Sequence, residues 1–142
     1  MRVLLFFLIL FPIATVMAQV KGDLIKENNP IIGTWRSADS INGSPNGVPL
    51  FDEDEKNEYC HFNANEDPSW FASFLDPENG FACPSYFVAH IKKDVVEGKH
   101  TGNCVVMEIG KIITFKFDYK NADDVLTIIF KDKKYRYKRF KV

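Results

Sequence analysis

Pro30-Ile31-Ile32-Gly33-Thr34-Trp35-Arg36 is the stretch on which the reading of this chain turns. Successive side chains of a strand alternate, so Ile31, Gly33 and Trp35 share one face and Ile32, Thr34 and Arg36 the other. A glycine inside a strand removes a side chain and lets another group approach closely. A tryptophan two residues on can use that space on its own face. A covered tryptophan buries roughly 150–250 Å², so Trp35 is a core organiser whose indole N–H still needs an acceptor. The stretch reads as the first strand of a small closed sheet, with Trp35 plugging one end.

Upstream of it, the first 18 residues read as a secretory signal peptide. Met1-Arg2 is a short positive start, Val3 to Phe11 is apolar, and Val16-Met17-Ala18 places compact residues at a cleavage site before Gln19. The apolar run is about half of what a membrane-spanning helix needs, and Pro12 interrupts it. No later stretch is apolar enough to cross a bilayer as a helix, so the expectation is a secreted, extracellular chain. Residues 19–29 are polar and without a period, which predicts a loose N-terminal arm. Residues 30–142 then form one domain, long enough to bury a core of its own.

Downstream, short alternating segments follow one another. Asn42-Gly43-Ser44-Pro45-Asn46-Gly47 is turn-rich, and Asn42-Gly43-Ser44 is a glycosylation sequon weakened by the proline behind it. Glu58 to Phe62 reads as a short strand. Asp67-Pro68 resembles a helix start, and Trp70, Phe71, Phe74 and Leu75 fall on one helical face. The prediction is therefore a short helical segment near 68–75. It would either pack its own aromatics onto the sheet or serve as a lid or partner-binding knob. Further strands are predicted over 86–95, 103–109, 111–119, 125–130 and 134–141. Glu97-Gly98 and Thr101-Gly102 would bracket a turn, and Gly110 would be a tight turn or a bulge. The fold class is all-β: an antiparallel up-and-down meander closed into a small barrel, since closure removes the exposed sheet edges.

Charge is unevenly divided. Gln19 to Ala82 holds four basic and twelve acidic residues, and Cys83 onward holds thirteen basic and seven acidic. The basic half could meet an acidic partner or lipid headgroups. Phe51-Asp52-Glu53-Asp54-Glu55 lacks the ligand spacing of a calcium loop and reads as solvated. Three cysteines enter an oxidising compartment, which predicts one disulfide and one thiol left over. Cys60–Cys83 would staple the aromatic segment at its base, and Cys83–Cys104 is the rival pairing. His61, His90 and His100 make no metal pattern with them. No nucleophile or phosphate motif is present. The expectation is no enzyme, no cofactor, no metal and no nucleic-acid partner, in a chain that is a monomer.

Gly33-Thr34-Trp35 near the start of a secreted β-meander resembles the Gly-x-Trp motif of the lipocalin (calycin) superfamily. In that superfamily an arginine of the last strand packs across the tryptophan. Tyr135-Arg136-Tyr137-Lys138-Arg139-Phe140 resembles such a closing strand, and the period of two gives the role to Arg139, with Arg136 as second choice. Gly33, Trp35 and Arg139 would then close one end of the barrel. The resemblance implies a carrier or sequesterer of a small hydrophobic ligand. Inward-facing Phe115, Phe117, Leu126, Ile128 and Tyr137 would line it, with Trp70, Phe71 and Phe74 at the mouth. The chain is short for that family and its many phenylalanines could fill the barrel. The competing expectation is therefore a filled barrel acting as a secreted protein-interaction module, through residues 67–82 or the basic last strand.

Overall fold

The structure is a computed structural model that describes residues 22–50, 57–66, 69–73, 85–102 and 109–141, with Phe71 and Ser73 described by backbone alone. No helix occurs among them. The strands are β1 (Asp23–Leu24), β2 (Gly33–Ser37), β3 (Ser40–Ile41), β4 (Ser44–Pro45), β5 (Tyr59–Phe62), β6 (Trp70–Ser73), β7 (Ser85–Lys92), β8 (Val95–Gly102), β9 (Ile112–Lys120), β10 (Val125–Phe130) and β11 (Lys133–Arg139). Eight of them make one curled antiparallel sheet, half-barrel in shape. Along it β8 pairs with β9, β9 with β10, β10 with β11, β11 with β2, β2 with β5, β5 with β6 and β6 with β7. β7 pairs in addition with β8, and β3 and β4 form a separate hairpin.

Alternation sets the two faces. In β9, Ile113 and Phe115 are buried between exposed Thr114 and Lys116. In β10, Leu126, Ile128 and Phe130 are buried, and in β11 Tyr135 and Tyr137 are. The tight connections use left-handed residues, as hairpins of right-twisted strands require. Asn42-Gly43 turns β3 into β4, Lys93 leads the β7–β8 turn, and Lys131-Asp132 joins β10 to β11.

Several sequence expectations are corrected. Residues 70–73 are strand, where a helix over 68–75 was expected; residues 67–68 and 74–84 lie outside the described residues. The spacing of the aromatics suits a helix, but β6 also satisfies the edges of both β5 and β7, and sheet pairing overrides a short local pattern. The turn expected at Glu97-Gly98 and Thr101-Gly102 lies instead at Lys93-Asp94, and β8 runs straight through Gly98. The arm is not loose from residue 23 on. β1 pairs with β7, and Ile25 and Ile31 are fully buried. Between the β6 and β1 segments of the β7 edge, the Ala89 N–H donates to Ser69 Oγ at 2.7 Å.

The arm, β2 and β11 meet at one group. The Arg139 guanidinium carbon lies 4.2 Å from the centre of the Trp35 ring. Its Nη1 donates to Ile32 O at 2.7 Å and its Nη2 to Pro30 O at 3.0 Å. Its Nε pairs with Asp124 at 2.9 Å. The Trp35 indole N–H donates to Ile31 O at 2.7 Å, and Tyr119 meets the indole edge-on at 6.0 Å. Gly33 sits at φ +119°, and a Cβ there would lie 2.7 Å from Arg139 Nη1. The glycine is required twice, by its dihedral and by the guanidinium that occupies its missing side chain.

Burial works to raise the Asp124 carboxyl, but hydrogen bonds from Arg139 and Tyr119 and the Arg139 charge outweigh it and hold the carboxyl below 3.8. Asp39 is held low by its hydrogen bond from Arg136, against burial. Both carboxyls are more acidic folded than unfolded. Their stabilisation is complete above the unfolded value and is lost as pH falls through the folded one. Chemical denaturation is expected to show Arg139→Ala less stable by roughly 2–4 kcal/mol. Asp124→Asn is expected to lose less stability than the parent when pH falls from about 5 to 2.

Candidate functional site

The concave face of the sheet carries two rows with different contents. The first runs over Gly33, Phe62, Trp70, Phe87 and His100, which are successive cross-strand partners from β2 to β8. Trp70 stacks on Phe87 at 4.1 Å between centroids, lies parallel to Phe62 at 5.9 Å, and takes the edge of Phe115 at 5.2 Å. Opposite it is Gly98, where a Cβ would come within 2.7 Å of the indole Cε3. The glycine in mid-strand is the space into which Trp70 packs.

The second row starts at Trp35 and continues over Cys60, Ala72 and Ser85. After the indole its side chains are small. Ser85 begins β7, at the end of the sheet opposite Arg139. At this far end β2, β6, β8 and β10 finish and β5, β7, β9 and β11 begin. Residues 47–50 pack over part of it: Val48 N–H donates to the Tyr137 hydroxyl at 2.8 Å, that hydroxyl donates to Asn57 O at 3.2 Å, and Asn57 Nδ2 donates to Val48 O at 2.7 Å. Tyr137 is thus tied down at its tip, and burial holds its phenol far above the usual range.

Buried polar atoms are left over on both rows and at Asn57. Ser85 is 0 % exposed, Asn57 1 % and Trp70 2 %. Ser85 Oγ, Asn57 Oδ1 and Trp70 Nε1 nevertheless have no hydrogen-bond partner among the described residues. A buried polar group left unmatched costs about 1–3 kcal/mol, so each calls for a physical reason.

The residues expected to line a ligand are only partly assembled as such. Phe115, Leu126, Ile128, Tyr137 and Trp70 are buried, and Phe117 is half-buried against the same core. Phe115 is engaged by Phe62 and Trp70, so it is core rather than open lining. Phe71 is described by backbone alone, and Phe74 lies outside the described residues. Cys60, Ala72, Ser85 and Asn57 were not singled out as lining. Small side chains carry little periodic signal, and they become a row only through the register of β5, β6 and β7.

Cys60 is a buried free thiol, which replaces the expected Cys60–Cys83 bridge; Cys83 and Cys104 lie outside the described residues. Its side chain is part of the core in the Trp35 row, and burial pushes its thiol well up. His61 joins β2 to β5 on the outer face, bonded at 2.7 Å to Thr34 Oγ1 and at 2.7 Å to Asn63 Oδ1. His100 meets the edge of Phe87 at 5.3 Å. Among the described residues no three His, Cys, Asp or Glu side chains converge as a metal set. Comparison with protein-family models, with curated proteins and with solved structures returns no match.

Two measurements follow from this packing. Gly98→Ala is expected to displace Trp70, lowering stability by roughly 1–3 kcal/mol and changing the near-ultraviolet circular dichroism. Alkylation mapped by mass spectrometry is expected to leave Cys60 unmodified in the native protein and to label it on denaturation. Rapid native labelling would contradict the inward placement of that thiol.

Proposed function

We propose that this chain is a secreted lipocalin-like barrel that carries or sequesters a small hydrophobic ligand bearing one hydrogen-bonding group. The leader-like residues 1–18 support secretion. Closure is supported by the series of pairings, which passes from β2 through β5 to β11 and returns to β2. It is supported again by Arg139, which ties the last strand to the arm and to Trp35.

The observation that carries the ligand reading is the set of buried polar atoms, Ser85 Oγ, Asn57 Oδ1 and Trp70 Nε1, that have no partner among the described residues. Trp70 Nε1 can only donate, Asn57 Oδ1 can only accept, and the Ser85 hydroxyl can do either. A ligand with an apolar body and a hydroxyl, carbonyl or carboxyl tip would satisfy one or more of them. Its body would bury apolar surface at about 25 cal/mol per Å² before ordering costs. The aromatic row beneath, Phe62, Trp70 and Phe87, would serve as a floor. Phe115, Leu126 and Ile128 would then support that floor and not touch the ligand along their length.

The test is a titration of the mature protein with long-chain fatty acids, fatty alcohols and retinoids against an environment-sensitive dye. Saturable displacement is expected. Ser85→Ala is expected to weaken polar-tipped ligands about 3- to 10-fold and to leave the matching hydrocarbon unaffected. Ala72→Leu is expected to block binding with little loss of stability if the row beside it is open. No saturable binding, with Ala72→Leu destabilised by overpacking, would leave the filled interaction module as the better reading.

A further inference from the structure

The far end of the sheet also carries a rim of exposed lysines and isoleucines, set around a cleft whose floor is the inward-facing Phe130 and Tyr135. The Lys131-Asp132 turn and the start of β11 put Lys131, Lys133 and Lys134 around a cleft of about 510 Å³ floored by Phe130 and Tyr135. Ile41, at the tip of the β3–β4 hairpin, lines the same cleft and is 50 % exposed. At the same end, Ile109 in the turn before β9 and Ile112 at the start of β9 are 72 % and 44 % exposed. Ile129 pairs with Lys116, so β9 extends past the end of β10 and carries Ile112 beyond the cleft. Lys111 stands exposed between the two isoleucines.

Three well-exposed aliphatic side chains therefore share one end of the sheet with four lysines. The one carboxylate of the cleft's own turn is Asp132. Single exposed aliphatics are ordinary, but several on one rim, interleaved with lysine, match the interface of a bilayer better than bulk water. Long lysine stems lie along apolar surface and hold the ammonium at headgroup level. The Lys131 ammonium already lies 5.3 Å from the Phe130 ring centre.

We infer that this rim docks on an anionic phospholipid surface, with Ile41, Ile109 and Ile112 entering the interface and Lys131, Lys133 and Lys134 meeting phosphate groups. Charge complementarity selects the occupant: lysines close to an anionic membrane contribute additively, and the apolar tips need a medium to enter. The inference does not depend on whether the interior is occupied.

The experiment is co-sedimentation of the full mature chain, its acidic Asp52-Glu53-Asp54-Glu55 stretch present, with phosphatidylcholine vesicles with and without phosphatidylglycerol. Binding is expected to the anionic vesicles alone and to weaken as salt is raised. Lys131→Glu/Lys133→Glu/Lys134→Glu is expected to reduce it by roughly a hundredfold. Ile109→Ser/Ile112→Ser, at exposed positions and unchanged charge, is expected to reduce it by roughly tenfold with the same thermal midpoint. Absence of binding to anionic vesicles overturns the inference. So does equal binding by the lysine variant, or loss with the lysine variant alone, which would reduce the surface to a nonspecific anion patch. Competition by an acidic peptide at concentrations where glycerol phosphate is inert would make a protein the partner and overturn it also.

Discussion

A guanidinium lying on an indole holds this molecule together in a way that few single contacts do. Arg139 is near the end of the described chain and Trp35 near its beginning, yet the two are 4.2 Å apart. The same guanidinium takes the carbonyls of Pro30 and Ile32 and the carboxylate of Asp124. Arginine presents several fixed donors and a stackable plane at once, which a lysine at this position could not reproduce. Its partners come from residues 30–32 just before β2, from β2 and from the β9–β10 turn. Removing it would leave two backbone acceptors to water, reduce Asp124 to its hydrogen bond from Tyr119, and uncover the Trp35 ring. Gly33 is the complement of this arrangement, since any side chain there would contest the space of the guanidinium.

From that fixed end the interior changes character along the strands. Near Trp35 and Trp70 it is a stack of aromatic rings, close enough that a glycine is needed opposite one of them. Towards the far end the row thins to Cys60, Ala72 and Ser85, while Tyr137 is held by Val48 and Asn57. An aromatic floor is rigid and stabilises the sheet. A thin row above it, with polar atoms left unmatched, is a poor way to finish a core and a good way to receive a guest. Stability and the proposed binding thus occupy different layers of one concave face.

The fold was legible where alternation was long and the turns were tight. β9, β10 and β11 follow directly from Ile113, Phe115, Leu126, Ile128, Tyr135 and Tyr137 falling at every second position. The Gly33–Trp35–Arg139 association was legible from motif and period together. The failures have physical causes. Trp70 and Phe71 were read at helical spacing, because a four-residue strand is too short to display its own period and only its two neighbours decide it. Gly98 was taken for a turn residue, because nothing local says that an indole from another strand needs its missing side chain. Cys60, Ala72 and Ser85 escape a sequence reading for the same reason: they become neighbours through pairing, which sequence separation hides.

The chain has two tryptophans, and their indole N–H groups report on the two ends of this account separately. Trp35 donates to Ile31 O, while Trp70 has no partner among the described residues. The most direct measurement is a two-dimensional proton–nitrogen spectrum of the indole region during titration with a fatty alcohol or fatty acid. The account requires the Trp70 resonance to shift saturably and the Trp35 resonance to stay in place. A stationary Trp70 signal at saturating ligand, or a Trp35 signal that moves instead, would contradict it.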